Sequence, residues 1–213
     1  ATGDPAWDQT TAQAISGIGS SYGIAVDGSQ NIHDEQLWYL HQGKLSKFHN
    51  EYYKFCFVRN PFERLVSCYL DCIVTRSIKN GRESNWYDSY IYPIPSVVSF
   101  AEFVQIITSI PDRISERHFK SQSYWIYHKN TLKVDFIGRV EYIKEDWKKM
   151  ADRFNFVDKI PHENRSDTLE RDYDYRKYYD VGLAKMVYRR YRNDVELLGY
   201  KNDYIRLLDY LSN

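Results

Sequence analysis

Two residues in this sequence have the chemistry to hold an anion, Arg59 and Ser67, with an Asn60-Pro61 step between them. A guanidinium presents a planar fork that grips two phosphate oxygens at once, and a hydroxyl can bond another. If a helix begins at the Asn-Pro step, its free backbone donors and positive dipole end converge on the same anion. Ser67 then lies about one and a half turns in, where a ligand lying along the helix could meet both side chains. The alternative is a solvated arginine and a small serine packed in mid-helix, since an arginine after a strand is common in α/β proteins.

The flanking pattern supplies the elements that would position this pair. Lys54 to Val58 is an apolar and aromatic run of strand length, ended by Asn60-Pro61. Asn60 suits an N-cap, Pro61 loses nothing at the first helical position, and Glu63 could reach back to close a capping box. Phe62, Leu65, Val66, Tyr69 and Leu70 recur at helical spacing and predict a buried face. Ser99-Phe-Ala-Glu102 is a second capping box, opening a helix with Phe103, Ile106, Ile107 and Ile110 on its apolar side and Pro111 at its end. Val134 to Val140 predicts another strand, with Gly138 permitting a close backbone approach. Lys144 to Phe154 predicts a helix that buries Trp147, Met150 and Phe154.

Tyr178 to Leu198 predicts a last long helix, apolar along Val181, Ala184, Met186, Val187, Tyr191, Val195 and Leu198, with Gly199 as its cap. Its Arg189, Arg190 and Arg192 read as a solvated flank beside Asp194 and Glu196 rather than as a membrane or partner patch. The strand, helix, strand order predicts an α/β fold with a central, largely parallel sheet flanked by helices. Ligands in such a fold collect at the carboxyl ends of strands.

The same residues carry a resemblance. Arg59-Asn-Pro-Phe-Glu-Arg-Leu-Val-Ser67, after Phe55-Cys-Phe-Val58 and before Tyr69, resembles the 3'-phosphate motif of the membrane-type carbohydrate sulfotransferases related to the HNK-1, chondroitin and dermatan enzymes. Similar blocks follow in order: Arg117-His-Phe-Lys-Ser-Gln122, Val134-Asp-Phe-Ile-Gly-Arg-Val-Glu141, Ile160-Pro-His-Glu-Asn-Arg-Ser166, and Tyr188 to Tyr200. The resemblance implies a P-loop-kinase-like fold, with residues 1–213 as a single domain. It implies the donor 3'-phosphoadenosine 5'-phosphosulfate (PAPS), leaving PAP as product, and a carbohydrate hydroxyl as acceptor. Arg59 and Ser67 match the residues that hold the donor's 3'-phosphate, and Asn164, Arg165 and Ser166 match a loop near the nucleotide. In the fourth block, Asn164-Arg-Ser166 is also a glycosylation sequon, meaningful in a secretory compartment.

The family's His-aromatic-x-x-Gln block lies near donor and acceptor. Here Phe119 and Gln122 match it, and Ser121 stands where a proline is usual. His118 is thereby a candidate base for the acceptor's proton, with a loop-to-core hydrogen bond as its alternative role. His49, just upstream of the first strand, is a second candidate base or a solvated surface histidine. No metal is required, because protein cations can stabilise the leaving phosphate, and His33, His41 and His49 match no zinc spacing.

The family's opening is a strand and a Pro-Lys-x-x-x-Thr-Ser loop for the 5'-phosphosulfate. Its nearest counterpart is Pro5-Ala-Trp-Asp-Gln-Thr-Thr11, with Thr10 and Thr11 in the hydroxyl positions and Ala6 where the lysine should be. An alanine cannot neutralise charge developing on the bridging oxygen. Residues 1–30 are therefore an atypical N-terminal segment, and three explanations stay open. The start is truncated or altered, the true loop is unrecognisable, or the protein binds PAP or a glycan without catalysing. The first is favoured, because an α/β core does not readily dispense with a central strand.

Residues 76–95 mix Arg76, Lys79 and Arg82 with Trp86, Tyr87, Tyr90 and Tyr92, a composition suited to an acceptor loop that grips an anionic glycan. With 20 Tyr, the 16% aromatic share suits either a stacking wall or a Tyr-rich core rim. The 213 residues are enough to bury a sizeable core. Because 29 basic residues balance 29 acidic ones, no global field recruits nucleic acid or anionic membrane, and any phosphate site is local. Three cysteines, Cys56, Cys68 and Cys72, argue against a disulfide scaffold and permit a reducing cytoplasm. The sequence shows no membrane anchor and no secretory signal. The expected location is cytoplasmic for a prokaryotic protein, or the Golgi lumen or its membrane for a eukaryotic one anchored outside this chain.

Overall fold

The structure, a computed structural model, describes residues 53–75, 98–155 and 174–213. Ala6, Thr10 and Thr11 in the N-terminal segment, His49, the 76–95 loop, and Asn164, Arg165 and Ser166 fall outside these residues. In chain order the elements are β1 (Phe55–Val58), α1 (Pro61–Tyr69), α2 (Phe100–Ser109), α3 (Gln122–Ile126), β2 (Tyr127–His128), β3 (Thr131–Leu132) and β4 (Phe136–Arg139). They continue as α4 (Ile143–Phe154), α5 (Val181–Arg190), α6 (Arg192–Leu197) and α7 (Lys201–Ser212). This is a mixed α/β fold with small parallel and antiparallel sheets flanked by helices. The described residues fall into two compact units, one of 53–58 and 125–155, the other of 59–75, 98–124 and 174–213. Among the described residues no helix is long and apolar enough to cross a membrane.

In the first unit β1 and β4 pair in parallel, from Phe55 opposite Phe136 to Val58 opposite Arg139. Strand alternation sends Cys56 and Val58 inward, and burial pushes the Cys56 thiol up to about 12. β4 is shorter than the predicted Val134 to Val140, because Val140 already begins a 3-10 turn that leads into α4. Gly138 does permit a close approach: a Cβ there would lie 2.6 Å from Cδ1 of Phe57, whose ring packs toward Phe136 and Trp147. α4 buries Trp147, Met150 and Ala151 and ends where Asn155 turns left-handed, at φ 56°. The β2–β3 hairpin was not foreseen. It turns through Lys129 and Asn130, both at positive φ, a pair without the glycine that usually marks such a turn.

In the second unit Asn60 caps α1 as expected, its carboxamide accepting from Phe62 N–H, but the capping box does not close, because the Glu63 carboxylate accepts from the Arg59 guanidinium instead. Its buried face is Pro61, Phe62, Leu65 and Val66. Phe62 stacks on Tyr204 at 5.5 Å and meets Tyr179 edge-on, and the Tyr179 hydroxyl donates to the Phe62 carbonyl. After Tyr69 the helix widens into a π-helical turn over Leu70–Thr75. The capping box of α2 forms in both directions between Ser99 and Glu102. Phe103, Ile107, Phe119, Ala184, Val187, Val195 and Leu207 complete the core.

The single long helix expected over Tyr178 to Leu198 is broken. A 3-10 turn covers Tyr175–Tyr178, Asp180 caps α5 through Leu183 N–H, and Tyr191 leaves helical geometry between α5 and α6. Tyr191 is almost wholly enclosed, and its hydroxyl donates to the Phe119 carbonyl at 2.7 Å. Gly199, at φ 78°, ends α6 and redirects the chain into α7, an element the sequence reading omitted. The solvated flank is also corrected in part: the Arg190 side chain is 7% exposed and paired with Asp112, and Asp194 is fully buried.

Candidate functional site

Arg59 immediately precedes the cap of α1, and its guanidinium donates to the Glu63 carboxylate. Glu63 and Ser67 are one helical turn apart. Arg59, Glu63 and Ser67 are all half-buried, whereas Phe62, Leu65 and Val66 of the same helix are enclosed. This i,i+4 ion pair is part-buried, with the Arg59 and Glu63 side chains 21% and 30% exposed.

Two backbone donors at this helix start are committed: Arg59 N–H donates to Gln122 Oε1 and Phe62 N–H to Asn60 Oδ1, while Pro61 has none to give. Arg64 N–H closes the first intrahelical bond, to the Asn60 carbonyl.

The 112–123 segment runs beside this helix under several polar ties. Arg64, on α1, donates to the carbonyls of Lys120 and Arg117 at 2.9 and 3.3 Å. Arg190 donates to Ser121 Oγ and to Asp112, and the same Asp112 oxygen accepts from Ser121 N–H. Asp194 reaches across from α6, and its two carboxylate oxygens accept from the N–H groups of Gln122 and Ser123, both at 2.8 Å. Burial pushes the Asp194 carboxyl above the usual range, against the pull of those two donors and of Arg64. Burial likewise lowers the Lys120 ammonium, opposed by Asp112 and Glu116.

His118 sits on this segment with Glu116 as its partner. One Glu116 oxygen accepts from His118 N–H at 2.7 Å and lies 2.8 Å from Nδ1. With the carboxylate accepting from Nδ1–H, the basic lone pair of the ring falls on Nε2. The Glu116 side chain is 6% exposed and that of His118 is 26%, so a buried carboxylate orients a more accessible imidazole.

Residues 29–201 match the Sulfotransferase family, which is most of the chain. The chain belongs to the sulfotransferase family. A curated relative is carbohydrate sulfotransferase 12 of Xenopus laevis, 26% identical over 176 residues, covering 70% of this chain and 40% of that protein. This chain thus spans less than half the length of that relative. No solved structure matches it.

Within this sulfotransferase-family chain, three of the expected site residues are described: Arg59, Ser67 and His118, all in the helical unit. Gln122, of the same sequence block as His118, bonds the Arg59 main chain at both ends of its carboxamide. Sequence reasoning missed Glu116, Arg64 and Asp194. Glu116 had a weak signal in its i,i+2 spacing to His118, whereas Arg64 and Asp194 act through main-chain atoms remote in sequence and gave none.

Proposed function

We propose that the protein is a PAPS-dependent carbohydrate sulfotransferase with the P-loop-kinase-like fold, akin to the HNK-1, chondroitin and dermatan enzymes. What supports this is one arrangement: Arg59 just before α1 and Ser67 on it, both half-buried, with the His118 to Gln122 block bonded to the Arg59 main chain. Arg59, released by Glu63, grips the donor's 3'-phosphate, and Ser67 bonds another of its oxygens. PAPS supplies the sulfuryl group. His118, oriented by Glu116, takes the proton of a carbohydrate hydroxyl at Nε2. Thr10, Thr11, Asn164, Arg165 and Ser166 are assigned as further donor contacts, His49 as an alternative base, and residues 76–95 as the acceptor loop.

Arg59→Ala is expected to weaken PAP binding about 100-fold, the loss of a bidentate charged contact. Calorimetry that finds PAP affinity unchanged overturns the assignment. A second reading, a catalytically inactive PAP- or glycan-binding protein, is favoured by Ala6 where the loop lysine is expected. Mass-detected sulfate transfer to a mixed panel of glycans separates the two: PAP binding without turnover on any acceptor selects the second.

A further inference from the structure

Gln122 commits both ends of its carboxamide to one residue. Oε1 accepts from Arg59 N–H and Nε2 donates to the Arg59 carbonyl, each at 2.8 Å. This is the reciprocal pair that a neighbouring strand would offer, supplied instead by a side chain. Neither peptide unit flanking Arg59 can rotate without breaking one of the two bonds.

Gln122 is itself anchored at the main chain. Its N–H and that of Ser123 are the first donors of α3, and both end on the Asp194 carboxylate, which is fully buried. The residues just before it are held by Arg64 at the Lys120 carbonyl and by Arg190 at Ser121. A continuous set of bonds therefore runs from α6 through the start of α3 to the backbone that carries the Arg59 side chain.

We propose that Gln122, anchored by Asp194, is a positioning residue that directs the Arg59 guanidinium at the donor's 3'-phosphate, an inference that rests on the reading of Arg59 as the donor-binding arginine. An arginine has many rotamers, and bidentate capture of a phosphate accepts few of them. Fixing the main chain at its root removes part of the ordering cost from the binding step. A residue that served stability alone would alter every nucleotide's affinity equally, or none. A positioning residue alters only the share contributed by the 3'-phosphate.

The test compares adenosine 3',5'-bisphosphate with adenosine 5'-monophosphate, titrated by calorimetry into the full 213-residue chain well below the melting temperature of each variant. Gln122→Met preserves length and deletes both bonds. Gln122→Asn keeps the carboxamide but is one methylene too short to reach. Both are expected to lose roughly tenfold of the preference for the bisphosphate while monophosphate affinity stays within about twofold. If the Gln122 variants keep the preference and Arg59→Ala loses it, the positioning role is overturned and the site stands. If Arg59→Ala keeps the preference, or the unaltered chain has none, the site reading falls and the positioning role with it. Equal loss for both nucleotides, or failure of both Gln122 variants to fold, assigns Gln122 to stability and overturns the proposal.

Discussion

In the unit built on β1 and β4, rings pack on the strand pair. Phe57 covers Gly138 and packs toward Phe136 and Trp147, while the Arg153 guanidinium lies over the rings of both Tyr53 and Phe154. In the helical unit the 112–123 segment is held by charged side chains at main-chain atoms, through Arg64, Asp194 and the Arg190–Asp112 pair. Packing fixes a volume, whereas directional bonds fix the positions of particular atoms. The segment held by directional bonds is the one that carries His118 and Gln122. Each unit also has a largely buried aspartate that catches main-chain N–H groups, and the two differ in sign. Burial prevails at Asp194 and raises it. At Asp146 burial is outweighed by the Lys149 ammonium and the Arg139 N–H, which together lower it.

The contrast can be broken most directly at Asp194. Asp194→Ala strands two buried N–H groups and should cost about 3 kcal/mol by urea denaturation. A loss well under about 1 kcal/mol would mean that packing holds the loop after all. On the packed side, Gly138→Ala drives a methyl into the Phe57 ring and should cost about 2 kcal/mol. Much of that should return with Phe57→Leu in the same chain, and its failure to return would place the strain in the backbone. Ser99→Ala, which removes a local cap in the helical unit, should cost only about 1 kcal/mol.

The smallest effects are in pH dependence. The stability contributed by Asp146 is present above the ordinary carboxylate pKa and is lost as pH falls through its lowered folded value. That of Asp194 is present below the ordinary value and declines as pH rises through its raised folded value. Urea denaturation between about pH 3 and pH 7 should therefore give wild-type-minus-variant differences of opposite slope for Asp146→Asn and Asp194→Asn. Parallel slopes would erase the distinction.

The starts of α1 and α2 were legible because a cap is written in neighbouring residues: Asn60 with Pro61, Ser99 with Glu102. The break at Tyr191 was not; the tertiary bond there, from its hydroxyl to the Phe119 carbonyl, reaches far back in the chain. α7 escaped notice because Leu207 is the one residue on it that is buried, which leaves the apolar period thin. For the candidate site, spacing pointed to Arg59 and Ser67, and the resemblance pointed to His118. The supports of that pair are side-chain bonds to backbone atoms, and backbone atoms have no letter in a sequence.

The Arg59–Glu63 pair sets opposite charges side by side at the mouth of α1. Dissolved ions screen such an attraction where solvent reaches it, so the carboxylate holds the guanidinium less tightly in concentrated salt than in dilute buffer.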